Sequence, residues 1–466
     1  MFRTHLRTLA LIPFAIFVAG TLGHAQSAPA APAPPPAPAP APAVDISPDD
    51  FTSFFFHNGD TPTVFLGDSI TEQKLFTTLI ETYVLSRYPD WKITFRNAGW
   101  EGDTAGMAKR NGIAVGLPRD VLSLNPKAVV IDYGMNDAHA GKPGYTAYLK
   151  NTSQLIEELR KAGARVALLT SSPEEKYESD APAGSGYNVM LKKYADGLKI
   201  VADNERVPLV DQFDPFVADI EAGRDAGILS KTAKSGDEGN VRLIPDGVHP
   251  NWGGHFIMAS IILQGLHAPA MVSSVSVDAS GHSITGTEGC TVEWVDAGDG
   301  VVEFKRTDRA LPWPVPGISP EVQGQIDVAL KIPGFDPATT LNQYLVKVTG
   351  LSEPSYKLTI DGQLVGVFSS ADLAKGINLG FYPHGPLYDQ GQQLLQAVIA
   401  KNDAYFERWR EVQLYQKPDW LKPVRGIDDA RTAELERLDG VIADEEKAIQ
   451  DFRKTPTRLF RLEPAK

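Results

Sequence analysis

Between residues 63 and 270, short apolar runs rich in branched side chains alternate with stretches of helical spacing, and this alternation limits the fold more than any other feature. The apolar runs are 63–66, 93–95, 128–131, 166–169 and 207–210; helical spacing is clearest over 148–162 and 190–203. Strands of this kind, each followed by a helix, predict an α/β fold with a parallel sheet covered on both faces. Ligands of such sheets sit beyond the carboxyl ends of the strands. Working residues should therefore follow the strands immediately.

After Pro269 the pattern changes. Segments 272–277, 282–285, 291–295, 301–306, 345–348 and 356–360 alternate apolar and polar residues, and Asp361-Gly362 is a hairpin turn signal. A small antiparallel β region, built as a sandwich, is expected there. Further on, Leu387, Leu394, Val398, Tyr405, Trp409 and Val412 fall at helical steps, as do Leu435, Leu438, Ile442, Ile449 and Phe452. That spacing predicts a helical hairpin, or two helices packed back on the first domain, with the aromatic residues as core. The expected organisation is an α/β domain over 48–270, a β-rich domain over 271–375 and a helical region over 376–466.

The N-terminus reads as a targeting segment. Arg3 and Arg7 precede an apolar run from Leu9 to Leu22, and Gly23-His24-Ala25 offers a cleavage site, so residues 1–25 are expected to be a signal peptide. The run is short and broken for a membrane span, and a retained anchor is the competing reading. Residues 26–47, almost wholly Ala and Pro from Ser27 to Val44, are expected to form an extended spacer that cannot bury a core. A net charge of −13 argues against nucleic acid or an anionic membrane as the main partner. Cys290 is the only cysteine, which removes intrachain disulfides and cysteine-based metal sites. An exported protein, periplasmic or secreted, is expected.

The strand exits do carry polar residues. The first strand runs into Gly67-Asp68-Ser69 and the second into Asn97-Ala98-Gly99-Trp100-Glu101-Gly102-Asp103-Thr104. The third runs into Tyr133-Gly134-Met135-Asn136-Asp137, and Asp246-Gly247-Val248-His249-Pro250-Asn251 precedes an apolar helix. Gly-Asp-Ser alone occurs by chance in roughly one chain in ten of this length. The joint occurrence, in this order and at strand exits, is the specific signal. A serine hydroxyl needs a base to take its proton, and histidine suits that task near neutral pH. Asp246 lies three residues before His249, so one turn of chain can place its carboxylate against the imidazole, fixing the tautomer and stabilising the imidazolium.

These four blocks resemble the SGNH (GDSL-type) hydrolase superfamily, whose name spells the serine, glycine, asparagine and histidine found here as Ser69, Gly102, Asn136 and His249. The resemblance covers 60–270 and implies a flavodoxin-like three-layer sandwich of about five parallel strands, with ester hydrolysis as its activity. It implies Ser69 as nucleophile with Asp246 and His249 as acid–base partners. It also implies an oxyanion hole built from the backbone N–H groups of Ser69 and Gly102 and the Asn136 side-chain amide. No side chain at Gly102 hinders approach to its N–H.

Competing motifs are missing from the sequence. There is no G-x-S-x-G elbow, H-E-x-x-H pair, Walker loop or G-x-G-x-x-G fingerprint. The histidines are scattered, so no metal and no cofactor are implied. Asp68 and Asp137 read as loop-holding residues, and His139 and His255 as surface or packing residues. Trp100, Met135 and Trp252 are candidates for the walls of a substrate pocket. Segment 221–242 is either a rim of the site or an ordinary surface loop.

The expected substrate is a small-molecule or polysaccharide ester, with acetylated carbohydrate first. A lysophospholipase or thioesterase activity is the alternative, as is a non-catalytic cell-surface carbohydrate-binding protein on a hydrolase fold. The region beyond Pro269 is either a carbohydrate-binding module or a structural cover, the latter favoured because no row of exposed aromatics appears at strand spacing.

Overall fold

Five short parallel strands in the order β2-β1-β3-β4-β5 form the sheet that the alternation predicts. The computed structural model describes residues 54–175, 186–230, 241–295 and 300–465. The expected signal peptide, 1–25, and the expected spacer, 26–47, lie outside the described residues, as does part of segment 221–242. The α/β part runs β1 (Thr63–Gly67), α1 (Ser69–Glu72), α2 (Leu75–Arg87), β2 (Phe95–Gly99), α3 (Ile113–Asp120) and β3 (Ala128–Asp132). It continues through α4 (Gly141–Lys161), β4 (Arg165–Leu169), α5 (Gly186–Glu205), β5 (Leu209–Val210), α6 (Phe213–Asp225) and α7 (Trp252–Gly265).

Every residue of β1 and β3 is buried, as befits strands covered on both faces. The chain leaves β1 toward β2 but leaves β3 in the opposite direction, toward β4 and β5. With right-handed crossovers, that reversal puts α2 on one face and α4 and α5 on the other. The crevice beside β1 and β3 is thus the topological switch point, where doubly wound folds bind ligands.

The second strand departs from its sequence reading. Residues 93–95 were expected, but the ladder to β1 runs from Thr63↔Phe95 to Gly67↔Gly99. Polar Asn97 is tolerated inside it because its amide donates to the Thr71 carbonyl at 2.7 Å and accepts from the Gly99 amide at 2.9 Å. The fifth strand is also shorter than 207–210.

The second half adds β6 (Met271–Asp278), β7 (Ser283–Glu288), β8 (Cys290–Val295), β9 (Val302–Asp308), α8 (Pro320–Leu330), α9 (Pro337–Leu341), β10 (Gln343–Thr349), β11 (Ser355–Ile360) and β12 (Gln363–Ser369). It ends with α10 (Ser370–Lys375), β13 (Ile377–Asn378), α11 (Pro386–Phe406), α12 (Ile427–Phe452) and β14 (Arg458–Pro464). Two sheets, β13-β10-β6-β7 and β12-β11-β14-β9-β8, close on one shared core that includes Val275, Val346, Phe304, Leu358 and Phe460. This is a sandwich. Asp361 and Gly362, both at positive φ, make the β11–β12 hairpin turn.

Two expectations need correction. The β region is not purely antiparallel, because β6 and β10 pair in parallel, the long intervening chain leaving room for a crossover. Nor does it end at residue 375: β14, the last strand, sits between β11 and β9. The helices between do not form a separate body. Leu394, Val398, Tyr405, Leu438, Ile442 and Ile449 share the core of the α/β part. A buried Lys401–Glu81 ion pair, with Asn402 donating to Glu81 at 3.0 Å, fastens α11 to α2. Among the described residues, no helix is long and apolar enough to cross a membrane.

Candidate active site

Ser69 is the first residue of α1, directly beyond β1. It is not the helix cap. Asp68 caps, its carboxylate accepting from the Ile70 amide at 3.0 Å, which leaves the Ser69 hydroxyl free for other partners. The turn is tight enough to demand glycine on the neighbouring strand, since a Cβ on Gly99 would lie 2.2 Å from the Glu72 nitrogen.

The Ser69 Oγ lies 2.9 Å from His249 Nε2, and His249 Nδ1 lies 2.7 Å from Asp246 Oδ2. The other Asp246 oxygen accepts from the amides of Val248 and His249, at 2.9 and 2.7 Å. Partial burial alone would raise the Asp246 carboxyl. The hydrogen bonds from the His249 amide and ring and from the Val248 amide outweigh burial and hold it below its ordinary value. It remains a carboxylate facing the imidazole. Asn251 caps α7 just beyond, accepting from the Gly254 amide at 3.0 Å.

Gly102 sits at φ +69°, in the loop that follows β2. The Trp100 amide at its start donates to the Gly67 carbonyl at 3.0 Å. The Asn136 amide donates to the Asp103 carbonyl at 2.9 Å, and Asp137 accepts from the Ala105 amide at 3.2 Å. The loops after β1, β2 and β3 are therefore stitched to one another. Burial pushes the Asp68 carboxyl up to about 7, opposed by the Ile70 amide and reinforced by the nearby Asp137 and Asp103 carboxylates. Asp137 is also raised to about 7, chiefly by burial.

The remaining sequence candidates differ in how deeply they are buried. Met135 is 1 % exposed and belongs to the core. Trp252 begins α7, half-buried, its amide bound to Gln325 at 3.1 Å. Trp100 is half-buried with its ring edge-on to Trp409, centroids 6.0 Å apart. His139 is exposed and stacks on Tyr187, whereas His255 is buried against Phe76 and bonds Gln73 at 2.9 Å. Burial drives the His255 imidazole down to about 3, so it stays neutral.

Three supporting side chains escaped the sequence reading. Arg110, fully buried, donates to Asp103 at 2.7 Å and to the Ala98 carbonyl at 2.6 Å, tying the end of β2 to the Gly102 loop. Glu175, beyond β4, accepts from the Ile244 amide at 3.0 Å and from Arg224 at 3.2 Å. Its own amide donates to the Gly247 carbonyl at 2.9 Å, so it anchors the segment that carries Asp246 and His249. Arg410 reaches in from the C-terminal helices and covers Trp100. Only Glu175 had a signal, its place just past a strand end.

A serine bonded to a histidine at the switch point of a five-stranded parallel sheet is the arrangement that a serine hydrolase requires. Residues 65–257 match the GDSL-like Lipase/Acylhydrolase family, so this part of the chain is a GDSL-like ester hydrolase domain. Among solved structures, a gut microbial diltiazem-metabolizing enzyme is 25 % identical with a TM-score of 0.71, covering 88 % of this chain and 98 % of its own. An acetylxylan esterase from Geobacillus stearothermophilus is 20 % identical over 45 % of this chain and 95 % of its own, with a TM-score of 0.36. An α/β hydrolase from the metagenome of Lake Arreo, Spain, is 20 % identical over 46 % and 97 %, also at 0.36. No curated protein matches the sequence. The first of these likenesses extends through both halves, so the β-sandwich and helices are not peculiar to this chain.

Proposed function

We propose that the chain hydrolyses carboxylic esters through an acyl-enzyme on Ser69, with His249 as general base and then general acid and Asp246 orienting the imidazole. The observation that carries this reading is the unbroken chain of hydrogen bonds, 2.9 Å from Ser69 to His249 and 2.7 Å from His249 to Asp246. His249 Nε2 takes the hydroxyl proton as Oγ attacks the ester carbonyl. The tetrahedral oxyanion is received by the amides of Ser69 and Gly102 and by the Asn136 side chain. One Asn136 hydrogen is engaged by the Asp103 carbonyl, which aims the amide and leaves the other for the oxyanion. The imidazolium then returns its proton to the departing alcohol. Water, deprotonated by the same nitrogen, releases the acid.

The favoured natural substrate is an acetylated carbohydrate met outside the cytoplasm, a choice resting on the leader-like N-terminus and the acidic chain. Lysophospholipids and thioesters are the alternatives to be screened beside it. Hydrolysis of p-nitrophenyl acetate by the full chain and by Ser69→Ala tests the chemistry. Turnover by the wild type and loss of nearly all of it in the variant is expected, together with fluorophosphonate labelling of Ser69 alone. Equal, slow rates and no labelling would leave a binding protein on a hydrolase fold. N-terminal sequencing of protein recovered outside the cytoplasm tests export and cleavage after Ala25.

A further inference from the structure

Between α11 and α12 the chain passes through a π-helical turn, Glu407–Gln413. Such turns are rare and gather at functional positions. This one delivers two side chains to the Gly102 loop. Trp409 is 3 % exposed and meets Trp100 edge-on. The Arg410 guanidinium lies 3.6 Å from the centre of the Trp100 ring. Its Nε is also 3.5 Å from Glu72 Oε1. Glu72 is the last residue of α1, the helix that Ser69 begins, and the Glu101 amide lies beside its carboxylate. Glu101 stands between Trp100 and Gly102.

Arg410 therefore touches both the nucleophile's helix and the loop that carries the oxyanion glycine. On the inner side that loop is held by Arg110, which belongs to the α/β part itself. On the outer side it is held from a segment more than 300 residues further along the chain, roughly the reach of a whole domain. A guanidinium stacked on an indole while paired to a carboxylate is a rigid clamp, which a lysine cannot reproduce.

We propose that Arg410 is a positioning residue for ester hydrolysis, clamping Trp100 to Glu72 so that the Gly102 amide stays aimed at the oxyanion. The C-terminal helical hairpin is then part of the active site's construction, not a detached module. The inference rests on the esterase reading above. Loss of an aligned oxyanion donor acts on the transition state, so it lowers kcat and leaves KM nearly unchanged.

The test compares the full chain with Arg410→Ala, Arg410→Lys and Arg408→Ala on p-nitrophenyl acetate, with melting temperatures and the affinity of a boronic acid that forms a tetrahedral adduct on serine. Arg408 pairs with Asp439 inside the hairpin and serves as control. Arg410→Ala should lose about 10–100-fold in kcat and a similar factor in boronate affinity, less than removal of a whole oxyanion donor. Arg410→Lys should fall between, and Arg408→Ala should stay within about twofold, as surface changes do. An Arg410→Ala enzyme with unchanged kcat overturns the proposal. So does a loss of kcat that follows a loss of folded protein while boronate affinity per folded molecule is kept. A wild type that neither turns over nor labels removes the esterase reading, and this inference with it.

Discussion

The Arg110 guanidinium and the Asp103 carboxylate meet at 2.7 Å with neither side chain reached by solvent. Tyr133 donates to the same carboxylate oxygen at 2.9 Å, and Asp120 approaches the guanidinium at 3.5 Å. The group thus joins the exits of β2 and β3 to the loop of Gly102. Breaking a buried pair from one side leaves an uncompensated charge, at a cost of about 3–5 kcal/mol. Arg110→Ala is expected to lower the melting temperature markedly, and to reduce kcat even where the protein is folded. Urea unfolding with parallel kinetics checks it; a stable, fully active variant would refute the role.

Glu175 is the corresponding anchor on the other side of the site. Burial raises its carboxyl, while the Ile244 amide, Arg224 and Arg242 oppose that rise. Glu175→Ala removes the acceptor for Ile244 and the counter-charge of Arg224, so the Asp246–His249 segment loses its inner support. A fall in kcat of about 10–100-fold is expected from the misplaced base, since even small displacements of that order are costly. Steady-state kinetics, with circular dichroism to confirm folding, decides the matter.

Which parts of this construction could be read in the sequence follows from how far apart partners lie. The contacts that join Ser69, His249 and Asp246 were legible because each residue occupies a short segment at a strand or helix boundary, where chemistry concentrates. Asp246 and His249 even specify their own contact by spacing. Arg410 had no such mark: it acts on Glu72 and Trp100, and nothing local distinguishes it from the other arginines of an amphipathic hairpin. The second strand was misplaced because Asn97 looks like a loop residue until its side-chain partners, Thr71 and Thr77, are known. For β14 a signal existed. Phe460 and Leu462 alternate with Arg461 and Glu463, but a strand that follows two long helices is claimed by its sheet only once β9 and β11 flank it.

Asp246→Asn tests the third member of the hydrogen-bonded chain. The amide oxygen can still accept from the Val248 and His249 backbone. Its NH2 group would then face His249 Nδ1 and favour the wrong tautomer. Where such an aspartate is buried the loss approaches about 10⁴-fold in kcat. Here the Asp246 side chain is 57 % exposed, and water can partly take its place. A loss of about 10²–10³-fold is therefore expected, less than that of Ser69→Ala. A ratio near one would show that the carboxylate only holds the turn.

The carboxyls beneath the nucleophile give the fold a pH dependence of definite sign. Asp68 rises from its ordinary value of 3.8 to about 7, chiefly by burial, and Asp137 does the same. A carboxyl with a raised native pKa binds its proton more tightly when folded. Its stabilising contribution is complete below the unfolded value and is lost as pH rises through about 7. Asp68→Asn keeps an oxygen for the Ile70 amide but carries no charge at any pH. Its melting temperature should therefore gain on the wild type as pH climbs from about 5, with the gain accumulating up to about 7 and levelling off above it. Asp137→Asn should behave alike, because its oxygen can still receive the Ala105 amide. Thermal unfolding of the three proteins across that range supplies the test. A wild-type-minus-variant difference that does not change with pH would mean both carboxyls are already ionised at pH 5, with water or a neighbouring donor compensating their burial.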